Sequence, residues 1–286
     1  MGPPLRPMKH IDRKDLYANL ETRILYLHSF LDFSSRDIEA LVSGAKYIKA
    51  LIPALVNIVY HKLLQYDITA RAFKTRSTSY EGPVDESLTD NSPIILHRKT
   101  FLRAYLNKFC SDPSTMEFWY YLDKVGMMHV GRGRQHPLHI EYVHIGACLS
   151  FIQDTFTEAL LSHPRLRMEK KVALLKALGK VIWIQNDLFA KWYVRDGEEF
   201  ADEIEAPDVE KEGYLFGKKM LDDVDTDAGD PSASKGCPFS GLMAGMSAVT
   251  IPDEDEKEAT ACHIDDKEGA LNGARPSSYS EGKPMD

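Results

Sequence analysis

Through the first two thirds of the chain, apolar residues return every three or four positions, the spacing of amphipathic helices. The stretch DLYANLETRILYLHSFLDF (15–33) aligns Leu20, Ile24, Leu27 and Leu31 on one stripe and predicts a first helix. Ser34 with Asp37 three residues on reads as an N-cap with an acidic partner. A second helix follows through Ile38, Leu41 and Val42 to about Ile52. Pro53 then either opens a further helix, 54–65, or kinks a continuous one. Residues 67–95 are polar, carry Gly82, Pro83 and Pro93, and read as a loop. Helical spacing resumes over 94–109 and 115–128, breaks at Gly131, Gly133 and Pro137, and returns over 145–162. The last segment, 168–194, puts Leu174, Leu178, Val181, Leu188 and Trp192 on one face. No run alternates cleanly as a strand would, so the expected class is all-α with seven or eight helices.

Beyond about Asp196 the periodicity ends. The expected organisation is a flexible N-terminus (1–14), a helical domain (15–197) and an acidic, largely disordered tail (198–286). Charge sharpens that division. Residues 198–286 hold 23 acidic and 8 basic side chains, net −15, which leaves +7 for the rest of a chain that totals −8. The body's basic residues are dispersed among acids, which argues against a nucleic-acid surface. One apolar island, Lys235–Ile251, interrupts the tail. Four scattered cysteines without a CxxC fit a reducing compartment. The start MGPPLRPMKH lacks a signal-peptide core, and the apolar stretch 50–60 is about half a membrane span. A cytoplasmic protein with no membrane partner is the expectation.

The window Lys124–Ala147 concentrates four of the ten histidines: His129, His136, His139 and His144. His129 closes a helix whose apolar positions include Leu122, Val125 and Met128. On spacing alone it fits first a cation at a helix C-terminus, and also a neutral imidazole presented to a haem iron. Tyr60 stands in the apolar run LVNIVYHKLL, as a core tyrosine or as a hydrogen-bond donor for an iron ligand. Phe73 and Phe101 read as core residues on spacing alone. His136, His139 and His144 could hold zinc, but only Glu141 stands near them. They also suit a solvated basic loop in which Arg132 and Arg134 approach haem propionates. There is no G-x-S-x-G, no P-loop and no dinucleotide-binding glycine motif.

Four stretches together resemble one family: IVYHKLLQYDITARAF (58–73), HRKTFLRAYL (97–106), YLDKVGMMH (121–129) and HIGACLSFI (144–152). Their order resembles the protoglobins and the globin domains of globin-coupled sensors, over about residues 15–197. The resemblance implies a globin-like fold with an additional N-terminal pre-A helix, and haem b as cofactor. It implies His129 as the proximal iron ligand, Tyr60 as the distal tyrosine, and Phe73 and Phe101 as distal aromatics. Phe151 is the expected pocket residue of the penultimate helix, and Met128 joins the cofactor-binding set. Val59 stands where a tryptophan often precedes the distal tyrosine, and Val130 where a second histidine is common. The loop 74–95 is longer than usual.

The resemblance implies O2, CO and NO as ligands of a pentacoordinate iron, in a gas or redox sensor. It also implies a homodimer through the last two helices, with Phe156 and Leu160 as candidate contacts, and an output partner reached through the tail. A haem enzyme, an NO dioxygenase or peroxidase-like protein served by an external reductase, is the alternative. A haem-less helical regulatory domain is a further one. Cys237-Pro238 resembles a haem-regulatory dipeptide, or is an exposed cysteine in the tail.

Overall fold

A computed structural model describes residues 8–84, 87–204 and 207–219 of the chain. The first expected helix is two, α1 (Arg13–Ala18) and α2 (Leu20–Phe30). Asn19 divides them: its backbone is extended and its side chain accepts from the Thr22 N–H at 3.0 Å. An apolar stripe does not register such a break, because side-chain spacing barely changes across one capping residue.

α3 (Ser35–Leu64) starts at the predicted cap, where Asp37 accepts from the Ser34 N–H at 2.8 Å. The same carboxylate pairs with Lys180 at 3.0 Å. α3 is continuous through Pro53, which lies on its exposed side, where water can satisfy the freed carbonyl. By length and composition alone this helix could cross a membrane, but 56% of its most apolar window is buried inside the fold.

α4 (Asp67–Thr75) occupies the start of the stretch read as loop. Nine residues are too few for a convincing period, and α4 turns little beyond Ala72 and Phe73 inward. α5 (Pro93–Phe109) and α6 (Met116–His129) follow as expected. α7 (Tyr142–Ser162) begins before the expected Ile145, and α8 (Met168–Ala190) ends before Val194.

α3 packs on α5, α7 and α8, and α8 packs also on α6 and α7. The shared core includes Leu55, Leu106, Trp119, Leu122, Leu178 and Leu188. Phe156 and Leu160, expected as candidate interface residues, are each 1% exposed and belong to this core. Their stripe faces α8 and α3, so no outward face remains to them.

The described chain continues past residue 197, where the tail is expected to start. A 3-10 helix spans Glu198–Glu203 and ties to α1 through Arg13–Glu199 and Lys14–Glu203, both at 2.9 Å. A short antiparallel hairpin, β1 (Tyr214–Leu215) and β2 (Lys218–Lys219), closes the described chain. This segment is held by individual charged pairs and one buried leucine, Leu215, so it has no stripe to betray it. The apolar island, Cys237-Pro238 and Cys262 lie outside the described residues, as does the first half of the expected flexible N-terminus, residues 1–7.

Candidate functional site

A cavity of about 300 Å³ opens between α3, α4, α5, α6, α7 and α8. Five of the six residues singled out from sequence line it: Tyr60, Phe73, Phe101, Met128 and His129. They come from four helices. α6 supplies the imidazole, α3 the tyrosine, and α4 and α5 the two phenylalanines.

His129 Nδ1 lies 2.7 Å from the carbonyl oxygen of Val125, one turn back on α6. A carbonyl only accepts, so Nδ1 must carry the proton. Nε2 is then the lone-pair nitrogen of a neutral ring, and it makes no hydrogen bond among the described residues. Burial holds the His129 pKa below its ordinary value, which favours that neutral form. The ring is steadied by the edge-on ring of Phe189, centroids 5.2 Å apart at 84°. Tautomer, charge and orientation therefore all suit a metal-ligating imidazole.

Tyr60 is buried, with its ring 5.4 Å from that of Phe73. Its hydroxyl has no hydrogen-bond partner among the described residues, and burial pushes its pKa well up. Tyr60 is thus a neutral donor with an unused proton at the cavity wall. Cys148 lines the same cavity, and burial pushes its thiol up to about 11, so it stays a thiol and does not compete as a thiolate ligand.

Phe151 does not line the cavity. On α7 the lining falls to His144, Ile145, Cys148, Leu149 and Ile152, and Phe151 sits on the flank of that stripe with Lys62 Nζ 5.9 Å from its ring. Tyr105 and Tyr121 were missed. Their rings stack at 6.4 Å and both line the cavity. Tyr105 follows Phe101 by four residues on α5, so helical spacing could have found it. The Tyr121 hydroxyl is buried with no hydrogen-bond partner.

The mouth is cationic. Arg76, Arg98 and Arg134 line it with His136, His144 and Glu212. Arg132, expected beside Arg134, turns instead over the ring of Trp192 at 5.5 Å. His139 is a backbone element, donating its N–H to the Arg76 carbonyl at 2.8 Å. Among the described residues no three His, Cys, Asp or Glu side chains gather as a metal-binding group. The zinc reading of His136, His139 and His144 therefore finds no support in the geometry.

An apolar cleft with one oriented neutral imidazole, one neutral phenol and a rim of guanidinium groups matches a flat apolar macrocycle with acidic edges. The family model described as Protoglobin matches residues 20–199. The chain belongs to the Protoglobin family.

Membership carries haem binding of the globin type in general terms, and the cavity of this protoglobin fits it. Among solved structures, the globin domain of a Geobacter sulfurreducens globin-coupled sensor is similar at 15% identity with a TM-score of 0.48, covering 59% of this chain and 97% of that one. No curated protein matches. α1 and α2 stand before α3 as the additional N-terminal helices of this protoglobin. The segment from Pro207 to Lys219 lies beyond the residues that match the family.

Proposed function

We propose that this protoglobin holds haem b through His129 and binds O2, CO and NO at a pentacoordinate iron, as a cytoplasmic gas or redox sensor. The observation that carries the reading is the His129 ring, with Nδ1 donated to Val125 and Nε2 without a partner among the described residues. When bound, the haem iron supplies a coordination position for a diatomic ligand. His129 would hold the iron through Nε2, and Val125 fixes which nitrogen is free. Phe101, Phe73, Met128 and Ile140 supply apolar walls that keep water from the site. Tyr60 supplies a neutral donor toward negative charge that develops on a bound ligand. Arg76, Arg98 and Arg134 give the acidic edge of the macrocycle a cationic mouth.

The test is the absorption spectrum of the haem-loaded protein, oxidised, reduced and with CO. The expected result is a Soret band that shifts on reduction and again with CO. An unchanged spectrum in His129→Gly, with the variant folded, sinks the assignment, and the absence of any Soret band favours the haem-less regulatory reading. A homodimer through α7 and α8 belongs to the same proposal. Exposed Trp183, Val143 and Leu161 on those helices support it in place of Phe156 and Leu160, and light scattering on the wild type and Trp183→Glu tests it.

A further inference from the structure

The segment from Pro207 to Gly217 forms a strap that reaches the cavity wall at Glu212 and Gly213. Its ends are pinned on the α6–α7 connection. The Glu210 N–H donates to the Gly133 carbonyl and the Gln135 N–H to the Glu210 carbonyl, both at 3.1 Å. Arg134 Nη1 donates to the carbonyls of Lys211 and Tyr214 at 2.8 and 2.9 Å. Lys124 pairs with Glu210 at 2.8 Å and sits over the Phe216 ring at 4.3 Å. Leu215 is buried in the main core.

Between those pins the strap turns one carboxylate onto the rim. Glu212 meets Arg98 at 2.8 Å and Arg76 at 3.4 Å, and both Glu212 and Gly213 line the cavity. Gly213 has φ +86, a backbone conformation that favours glycine, and it lies at ordinary van der Waals distance from Phe101, whose ring an added Cβ would meet at 3.9 Å. The two arginines come from different elements, the end of α4 and α5, and Glu212 joins them. Arg76 is itself fixed. Its φ is +63, unusual for a side chain other than glycine, and it donates to the carbonyls of His136 and Pro137 at 2.9 and 3.2 Å. It is therefore a built site for a carboxylate, and the chain fills it from its own sequence.

We propose that Arg76 and Arg98 form a carboxylate site shared in turn by Glu212 and a haem carboxylate, so that haem uptake displaces Glu212 and releases the strap. This rests on the haem reading above and extends it. One acidic group is exchanged for another on the same two guanidiniums, with no net change of charge at the rim. The exchange loosens the strap's backbone hydrogen bonds to Gly133 and Gln135, while the buried Leu215 and the Lys124–Glu210 side-chain pair hold it nearby for return.

Hydrogen–deuterium exchange on the full-length protein tests the proposal at the amides of Gln135, Glu210 and Gly217, whose N–H groups are donated within the strap and its seat. Stoichiometric haemin should speed their exchange by about threefold or more, the scale of losing a part-exposed ion pair, while α8 amides slow or hold. Haemin dimethyl ester, which lacks the free acids, should enter the cavity and leave the strap protected. Glu212→Gln should show the fast strap without haemin, no further change with it, and a haemin affinity raised by a similar factor. Strap exchange unchanged by bound haemin, or equally sped by the ester, overturns the proposal and leaves the haem reading standing. A Glu212→Gln strap as protected as the wild type overturns it without any haem present. Failure of haemin to bind at all overturns both.

Discussion

A Cβ placed on Gly126 would stand 2.5 Å from the carbonyl oxygen of Leu188. α6 and α8 meet backbone to side at this point, one turn before His129 on one helix and beside Phe189 on the other. The carbonyl is part of a helix and cannot give way as a side chain would. Gly126→Ala should therefore push the helices apart and cost about 1–3 kcal/mol, read as a fall in melting temperature of roughly 2–4 °C for each kcal/mol. Because Phe189 steadies the His129 ring, the iron–histidine stretch of the haem-loaded variant should move as well. An unchanged melting point would show that the two helices slide freely.

Replacing Tyr60 removes a donor without emptying the wall, since phenylalanine keeps the ring against Phe73. Tyr60→Phe should speed O2 dissociation by about five- to tenfold, the worth of one hydrogen bond, and leave CO dissociation nearly unchanged. Flash photolysis and stopped flow check both. Equal effects on the two gases would mean that the tyrosine acts by shape alone.

Acid should weaken the haem-free fold. Burial lowers the pKa of both His129 and His28 from the ordinary value near 6.5. Just below about 6.5 the unfolded chain therefore binds more protons than the fold. The stability these groups contribute is fully present above that pH, and is lost as pH falls toward the folded pKa values. Asp123, whose pKa burial raises, acts in the opposite sense at lower pH. The difference between variants isolates the histidines. His28→Gln should flatten the loss of denaturant stability between about pH 7 and 5.5. Parallel curves would remove His28 from the account.

Gln185 is fully buried and spans two neighbours. Its Oε1 accepts from the Tyr105 hydroxyl at 3.2 Å and its Nε2 donates to the Leu122 carbonyl at 3.3 Å. This one side chain joins α5, α6 and α8 behind Tyr105, which lines the cavity. Gln185→Leu leaves the buried Tyr105 hydroxyl without its acceptor, while the Leu122 carbonyl keeps its helical bond, and should cost about 1–3 kcal/mol; Gln185→Leu with Tyr105→Phe should cost less than the two changes summed. Chemical denaturation of the three variants measures the coupling.

The sequence was most readable where a helix buries one continuous stripe. α5 to α8 fall close to their expected limits, and Tyr60, Phe73, Phe101, Met128 and His129 line one cavity. It was least readable where single polar contacts decide. Asn19 divides a helix with one side-chain hydrogen bond, and Phe151 misses the cavity by the small angle between neighbouring stripes. Glu212 had no local signal at all, because its partners Arg76 and Arg98 lie more than a hundred residues upstream. Arg134 was visible only as a charge in a loop, and the fold alone turns it onto the strap.

The unbroken course of α3 through Pro53 makes a mechanical element of it. Ser34 and Asp37, clamped by Lys180, hold one end, and Tyr60 stands near the other. Thirty residues make a rod about 45 Å long. A tilt of about one degree pivoted at one end displaces the far end of such a rod by roughly 0.8 Å. The tyrosine at the cavity and the cap beneath α2 are thus two points on a single lever, and the stiffness of that lever sets how finely the phenol can be aimed.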